Sequence, residues 1–363
     1  MKNVTLLIKP ASGACQYNCE YCFYRDEIAL RGHMSDRMSP ETLEYLIRKA
    51  FAAAENQVTF AFQGGEPTLA GIGFFENVLK LEARYARGRA YVNTLQTNGG
   101  LIDEDWTAFL KRGGFLVGLS LDGCRDEHDR YRKDGKGAGT YDRTIKAAEL
   151  LKRAEVPFNV LCVVSKANVK KPAETYEALK SYRFIQFIPC LDPMDSKINA
   201  FAPACDDYAD FLCETFDLYE KDYWDGNYVS VRLFDNYIQM LMGFPPESCS
   251  MNGRCSVSFT VESDGSVYPC DFYCLNEWRL GSINEMSLNE LANSRKAKEF
   301  VNSSVSVQSE CRVCKYYSLC RGGCRRERTP LNRYCQAYRQ FFENKYARLV
   351  AMKEDAQKNL RRR

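Results

Sequence analysis

Three cysteines near the amino end, Cys15, Cys19 and Cys22, follow an apolar run at x3 and x2 spacing. Three thiolates so placed can hold three corners of a 4Fe–4S cube. No nearby residue supplies a fourth cysteine, so one iron would stay open to bind and activate a small molecule, as catalytic metal sites keep a vacant position. Zinc is the competing reading, with His33 as the one residue near enough to complete its shell. Eight more cysteines crowd the last third as Cys249-x5-Cys255-x14-Cys270, then Cys311-x2-Cys314-x5-Cys320-x3-Cys324 and Cys335. They divide into two sets of four. Two fully ligated 4Fe–4S clusters or two structural zincs would use them equally well, and spacing does not choose. Gly64-Gly65-Glu66-Pro67 also follows an apolar run. Paired glycines there let backbone approach a ligand closely, although alone the motif reads as a turn.

Composition narrows the chemistry. Among 363 residues there are 17 cysteines but only two histidines, His33 and His128. Many thiolates with few imidazoles favour iron–sulfur clusters or all-cysteine zinc. Met1 to Lys9 does not read as a secretion signal, so the thiols are expected reduced and the chain cytoplasmic. No apolar run reaches about 18 residues, so no membrane span is expected. The net charge is +3 with dispersed basic residues, and the run Arg361, Arg362 and Arg363 reads as a solvated tail rather than a nucleic-acid arm.

These residues need a scaffold, and the first half supplies an alternating one. Strands are expected at Val4–Ile8, Val58–Phe62, Tyr91–Thr97, Phe115–Leu121, Phe158–Val164 and Phe184–Ile188. Helices are expected from Pro40 to Ala54 with Ser39 as N-cap, and over Phe74–Ala86, Asp103–Arg112, Thr140–Ala154 and Pro172–Ser181. Such alternation calls for parallel strands with right-handed crossovers, closed as an open sheet or a partial barrel. Ligands then gather at the carboxyl ends of the strands, where Cys15, Gly64, Asp122 and Leu191 fall. The aromatic stretch from Tyr208 to Phe244 reads as helical. Beyond it, Ser258–Glu262 and Ser266–Tyr268 read as strands around the turn Ser263-Asp264-Gly265, and a helix begins near Gln336.

Cys15-x3-Cys19-x-Tyr21-Cys22, with Gly64-Gly65-Glu66-Pro67 one unit later, resembles the radical S-adenosylmethionine (SAM) enzymes. The cysteine-rich end resembles their SPASM extension. The resemblance implies an α/β fold: a partial (β/α)6 radical SAM barrel over 1–207, a helical bridge over 208–247, a SPASM domain over 248–340 and a C-terminal helix and tail over 341–363. It implies SAM and three 4Fe–4S clusters as cofactors. Cys15, Cys19 and Cys22 would hold the SAM-binding cluster; Cys249, Cys255, Cys270 and Cys324 the first auxiliary one; Cys311, Cys314, Cys320 and Cys335 the second. Tyr21, Gly64, Gly65, Glu66, Ser120, Arg132 and Leu191 would meet SAM, and Tyr24 and Gln63 the substrate. On charge alone, the stretch around Arg132 reads as solvated surface. The other cysteines, Cys124, Cys162, Cys190, Cys205, Cys213 and Cys274, read as buried small apolar residues.

Longer stretches look like anaerobic sulfatase-maturating enzymes: Ile8-Lys9-Pro10-Ala11-Ser12, Cys22-Phe23-Tyr24, Gln96-Thr97-Asn98-Gly99, Ser120-Leu121-Asp122-Gly123, Pro269-Cys270-Asp271-Phe272-Tyr273 and Cys320-Arg321-Gly322-Gly323-Cys324. The gap from Cys324 to Cys335 is shorter than in that family. The family oxidises a cysteine or serine of a sulfatase, in a Cys/Ser-x-Pro-x-Arg motif, to Cα-formylglycine. The resemblance implies Asp271 as catalytic base, where the reading without it is an aspartate capping a turn. Expected partners are an unfolded or nascent sulfatase polypeptide and an electron donor such as flavodoxin or ferredoxin. No nucleic acid or membrane partner is expected, and the chain is expected to act as a monomer. Two alternatives stand beside this reading. One is a SPASM maturase that crosslinks or epimerises a ribosomal peptide, disfavoured by strand one beginning at Val4 with no room for a leader-recognition domain. The other is a zinc-ribbon binding module without catalysis.

Overall fold

The computed structural model describes residues 1–32, 36–194 and 200–361. His33 lies outside them. The chain forms two compact units that are not linear segments. The first takes Met1–Leu121, Tyr131–Asn159 and Ser256–Asn302; the second takes Asp122–Arg130, Val160–Cys255 and the stretch from Ser303 through the last helix.

In the first unit, β1 (Asn3–Ile8), β2 (Gln57–Phe62), β3 (Ala90–Thr97) and β4 (Leu116–Ser120) run parallel and in sequence order. Parallel strands need crossovers. Helices α1 (Phe23–Arg31), α2 (Pro40–Ala53), α3 (Ile72–Tyr85) and α4 (Glu104–Arg112) lie in those crossovers. Their starts follow capping chemistry. Ser39 Oγ accepts from Thr42 N at 3.1 Å ahead of Pro40, and Asp103 Oδ1 accepts from Trp106 N at 2.9 Å. Val4, Leu6 and Ile8 are buried, and Phe62, Phe75, Trp106, Phe109 and Phe115 form one aromatic core. The expected strands and helices stand within about two residues of their places, the usual scatter of element ends. Helix α1 was not expected, and its charged Glu27 and Arg31 are both buried.

The cysteine-rich end joins the same sheet. Strand β8 (Thr260–Val261) lies parallel to β1, with Leu7 opposite Thr260 and Ile8 opposite Val261. Strands β9 (Ser266–Tyr268) and β10 (Gly281–Ser282) continue it antiparallel. The expected strand over Ser258–Glu262 is thus only two residues long. Its register sets Glu262 and the turn after Tyr268 beside the carboxyl end of β1.

The second unit carries β5 (Phe158–Val164), whose first two residues belong to the other unit, β6 (Phe184–Pro189) and the two-residue β7 (Ser230–Val231), all parallel. Around them lie α5 (Arg125–Tyr131), α7 (Pro172–Leu179), α8 (Cys205–Trp224), α9 (Arg232–Leu241) and the C-terminal helix Cys335–Arg361; α6 (Tyr141–Arg153) belongs to the first unit. Phe234 and Phe341 stack, and Phe216 packs edge-on against both, joining α8, α9 and the C-terminal helix. No helix among the described residues is long and apolar enough to cross a membrane.

Candidate active site

The loop from β1 to α1 carries Cys15, Cys19 and Cys22, and Cys22 is the N-cap of α1. A helix amino end favours negative charge, so it suits a thiolate. Cys15 Sγ accepts from Tyr17 N at 3.4 Å and from Asn98 Nδ2 at 3.5 Å. Asn98 is itself held by Glu66, whose Oε2 accepts from Asn98 N at 2.8 Å. Oε1 of Glu66 accepts from Thr68 N, Thr68 Oγ1 and Thr97 Oγ1 at 3.0, 2.6 and 2.8 Å. Glu66 is fully buried, so within this unit it acts as a tie between the Cys15 loop and β3.

The two glycines before it serve different neighbours. Gly65 has φ +53°, and a Cβ there would come within 2.3 Å of Ala14 O. That approach lets Glu66 N donate to Ala14 O at 2.8 Å, one residue from Cys15. Gly64 has φ +91°, and a Cβ there would meet the Lys9 stem at 2.4 Å. Arg132 is buried rather than solvated, and its Nη1 donates to Tyr21 Oη at 2.8 Å. Ser120 Oγ accepts from Gln96 Nε2 at 3.0 Å. Tyr21, Gly64, Gly65, Glu66, Ser120 and Arg132 belong to the first unit, and Leu191 to the second.

Asp271 also belongs to the first unit and is 8% exposed. Its Oδ2 accepts from Tyr24 Oη at 2.7 Å and from Gln63 Nε2 at 2.8 Å. Lys9 Nζ lies 3.1 Å from Oδ1, in an off-line ion pair rather than a hydrogen bond, so among the described residues Oδ1 keeps free acceptor capacity. Burial and the Asp271 charge hold the Tyr24 hydroxyl far above the usual phenol range, so it stays a donor. Tyr24 and Gln63, expected at the substrate, are brought onto the expected base. Sequence reading missed Lys9, Glu27, Arg31 and Glu262. Lys9 is 1% exposed and also lies 3.2 Å from Glu27 and 3.5 Å from Glu262. The signal available was a lysine directly after the apolar run Leu6-Leu7-Ile8.

In the second unit, Cys311, Cys314, Cys320 and Cys335 line one cavity of about 570 Å³. Four thiols around one space are the donor set a fully ligated iron–sulfur cluster requires. Cys249, Cys255 and Cys324 are in this unit too, and Cys324 feels the charges of the other two; Cys270 is in the first unit. Burial pushes the Cys320 thiol up to about 11 and Cys324 to about 12, which a bound metal reverses by taking the thiolate. Of the six other cysteines, Cys162 and Cys190 are buried as expected. Cys124, Cys205 and Cys213 are half-buried, and Cys274 is buried among charges, its Sγ accepting from Lys9 Nζ at 3.3 Å. His128 is fully buried, its Nδ1 accepting from Asp122 N at 3.3 Å.

Comparison with known proteins follows the same division. Residues 10–179 match the radical SAM superfamily, and residues 249–315 match an iron–sulfur cluster-binding SPASM domain. The cysteine-type anaerobic sulfatase-maturating enzyme of Clostridium perfringens (strain 13 / Type A) is 44% identical, over 96% of this chain and 98% of its own. The serine-type enzyme of Bacteroides thetaiotaomicron is 28% identical, over 98% of this chain and 92% of its own. A solved structure of native anSMEcpe with bound AdoMet and Cp18Cys peptide superposes with a TM-score of 0.94 at 42% identity, covering 98% of this chain and 99% of that one. With such likeness over nearly the whole length, the chain belongs to the anaerobic sulfatase-maturating enzymes, α/β radical SAM enzymes that use SAM, a 4Fe–4S cluster and the auxiliary clusters of a SPASM domain.

Proposed function

We propose that this enzyme oxidises the cysteine of a Cys-x-Pro-x-Arg segment in a sulfatase polypeptide to Cα-formylglycine. The observation that carries the reading is Asp271, a buried carboxylate with one oxygen held by Tyr24 and Gln63 and the other accepting no hydrogen bond among the described residues. Cysteine is preferred to serine because identity is 44% to a cysteine-type relative and 28% to a serine-type one.

Loss of a hydrogen atom, a proton and an electron from a –CH2–SH side chain leaves a thioaldehyde, which water converts to the aldehyde with release of hydrogen sulfide. Bound SAM and the iron–sulfur clusters supply the radical that takes the hydrogen atom and the acceptor for the second electron. Cys15, Cys19 and Cys22 would hold the SAM-binding cluster, with Tyr21, Gly64, Gly65, Ser120, Arg132 and Leu191 around SAM, and Glu66 positioning Asn98 and Cys15. The two later sets of four cysteines would hold the auxiliary clusters. Asp271 takes the thiol proton, and Tyr24 and Gln63 fix the plane of its carboxylate. A flavodoxin or ferredoxin would supply the starting electron, and the enzyme would work as a cytoplasmic monomer.

Anaerobic incubation with SAM, a reductant and a Cys-x-Pro-x-Arg peptide tests this by mass spectrometry. The expected result is a thiol-to-aldehyde mass change, and a serine peptide reports the target type. Asp271→Asn is expected to form 5′-deoxyadenosine while aldehyde falls roughly 100-fold or more, the range for a lost general base. Full aldehyde yield from Asp271→Asn would remove it from the mechanism, and a crosslinked or epimerised peptide would favour the other maturase reading.

A further inference from the structure

Lys9 follows directly on β1 with its side chain buried, a position where an ammonium must be paired to be tolerated. It is paired in excess. Its Nζ lies 3.1 Å from Asp271 Oδ1, 3.2 Å from Glu27 Oε2, 3.5 Å from Glu262 Oε1 and 3.3 Å from Cys274 Sγ. It also sits 4.6 Å from the centre of the Tyr24 ring. Burial alone would push its pKa down, but Asp271, Cys274, Glu27 and Glu262 outweigh that and keep it charged.

We propose that Lys9 is a positioning residue for the proposed base, holding the Asp271 carboxylate at its Oδ1 end while Tyr24 and Gln63 hold Oδ2. The proposal rests on Asp271 acting as the base. Three features support it. Lys9 is the one cation in an ion pair with Asp271 among the described residues, 3.1 Å from the Oδ1 that accepts no hydrogen bond. Lys9 is also closely packed, its stem passing over Gly64 where any Cβ would collide with it. Its other partners, Glu27 and Glu262, are anchored in turn: Glu27 Oε1 accepts from Cys274 N at 3.3 Å, and Glu262 accepts from Arg31 Nη1 at 2.6 Å and Ser12 Oγ at 2.8 Å. Tyr24, Glu27 and Arg31 stand on one face of α1, the helix that Cys22 caps. Lys9 therefore ties the helix of the SAM-cluster loop to the turn that carries Asp271. The first glycine of the Gly-Gly-Glu motif then has a second duty, to leave a path for this lysine.

The test compares the reconstituted wild type with Lys9→Met, Asp271→Asn and the double variant, each given SAM, dithionite and a Cys-x-Pro-x-Arg peptide. Lys9→Met is expected to lower kcat for aldehyde at least tenfold, leave the peptide KM in place and raise the ratio of 5′-deoxyadenosine to aldehyde. The double variant is expected to be no slower than Asp271→Asn, because a residue acting through another adds nothing once that one is gone. If Lys9→Met does not retain its iron, Lys9→Met/Glu27→Gln, which removes one charge of each sign, should show the same rise in ratio. A wild-type ratio in both Lys9 variants, or a further tenfold loss in the double variant, overturns the proposal. Full aldehyde yield from Asp271→Asn sinks the base reading itself, whereas a defective Asp271→Asn beside a normal Lys9→Met sinks only the role given to Lys9.

Discussion

A carboxylate that takes a proton inside a protein needs to be accessible to its substrate yet held still. Asp271, the proposed base, is held still through Oδ2, which accepts from Tyr24 and Gln63, while its buried Oδ1 accepts no hydrogen bond among the described residues. Hydrogen bonds to a charged acceptor contribute about 1.5–3 kcal/mol. Tyr24→Phe should therefore slow aldehyde formation about tenfold or somewhat more, measured as kcat with the peptide. Because the Tyr24 hydroxyl is held far above its usual range, it adds no pH step of its own at neutral pH. An unchanged kcat in Tyr24→Phe would show that Gln63 alone suffices to hold Oδ2.

At the scale of elements, the loop after β2 is shaped by close approach rather than by turn preference. Gly64→Ala places a Cβ 2.4 Å from the Lys9 stem at a positive φ, so it should destabilise the protein by at least about 2 kcal/mol and lower the melting temperature. Gly73→Ala, in the first turn of α3 with nothing within 4 Å, should instead stabilise by up to about 1 kcal/mol. Equal melting temperatures for the two variants would contradict this account. A second feature lies between α3 and β3, where Glu82 is fully buried and Asn93 Nδ2 donates to it at 2.9 Å. Burial pushes the Glu82 carboxyl up to about 7. A folded-state value above the unfolded one means that the native state holds the proton longer, so stability falls as pH rises from the unfolded value towards 7. Glu82→Gln removes that loss. It should raise stability at pH 8 by about 2–3 kcal/mol, with little change near pH 5, as read from denaturant melts at both pH values.

For the whole molecule, the cluster inventory is the decisive quantity. Three 4Fe–4S clusters predict about twelve irons per chain, and stoichiometric zinc would instead support a metal-ribbon module. Cys335 caps the four-thiol cavity from the start of the C-terminal helix. Cys335→Ala should lower iron to about eight per chain if its loss releases that one cluster and leaves the others. A variant with its full iron content would show that the cavity closes around the cluster without this thiol.

Local patterns in the sequence determined much of this. The period-two and helical repeats of the first half specify alternating strands and helices, because each is set by which side chains a single element must bury. Cysteine spacing marked the compact triplet Cys15, Cys19 and Cys22, whereas the division of the eight later cysteines into two sets came only from the family resemblance, since Cys324 stands far along the chain from Cys249, Cys255 and Cys270. The packing of α1 was not legible. No local pattern marks the charged Glu27 and Arg31 for burial, and their partners Lys9 and Glu262 come together through the pairing of β8 with β1. Arg132 was hidden in the same way within a charged stretch. Above all, Tyr24 meets Asp271 across 247 positions and Gln63 meets it across 208. No local pattern encodes such contacts. The tertiary structure decided them, because the register of a two-residue strand against β1 brings the turn after Tyr268 to the end of the strand where Lys9 stands.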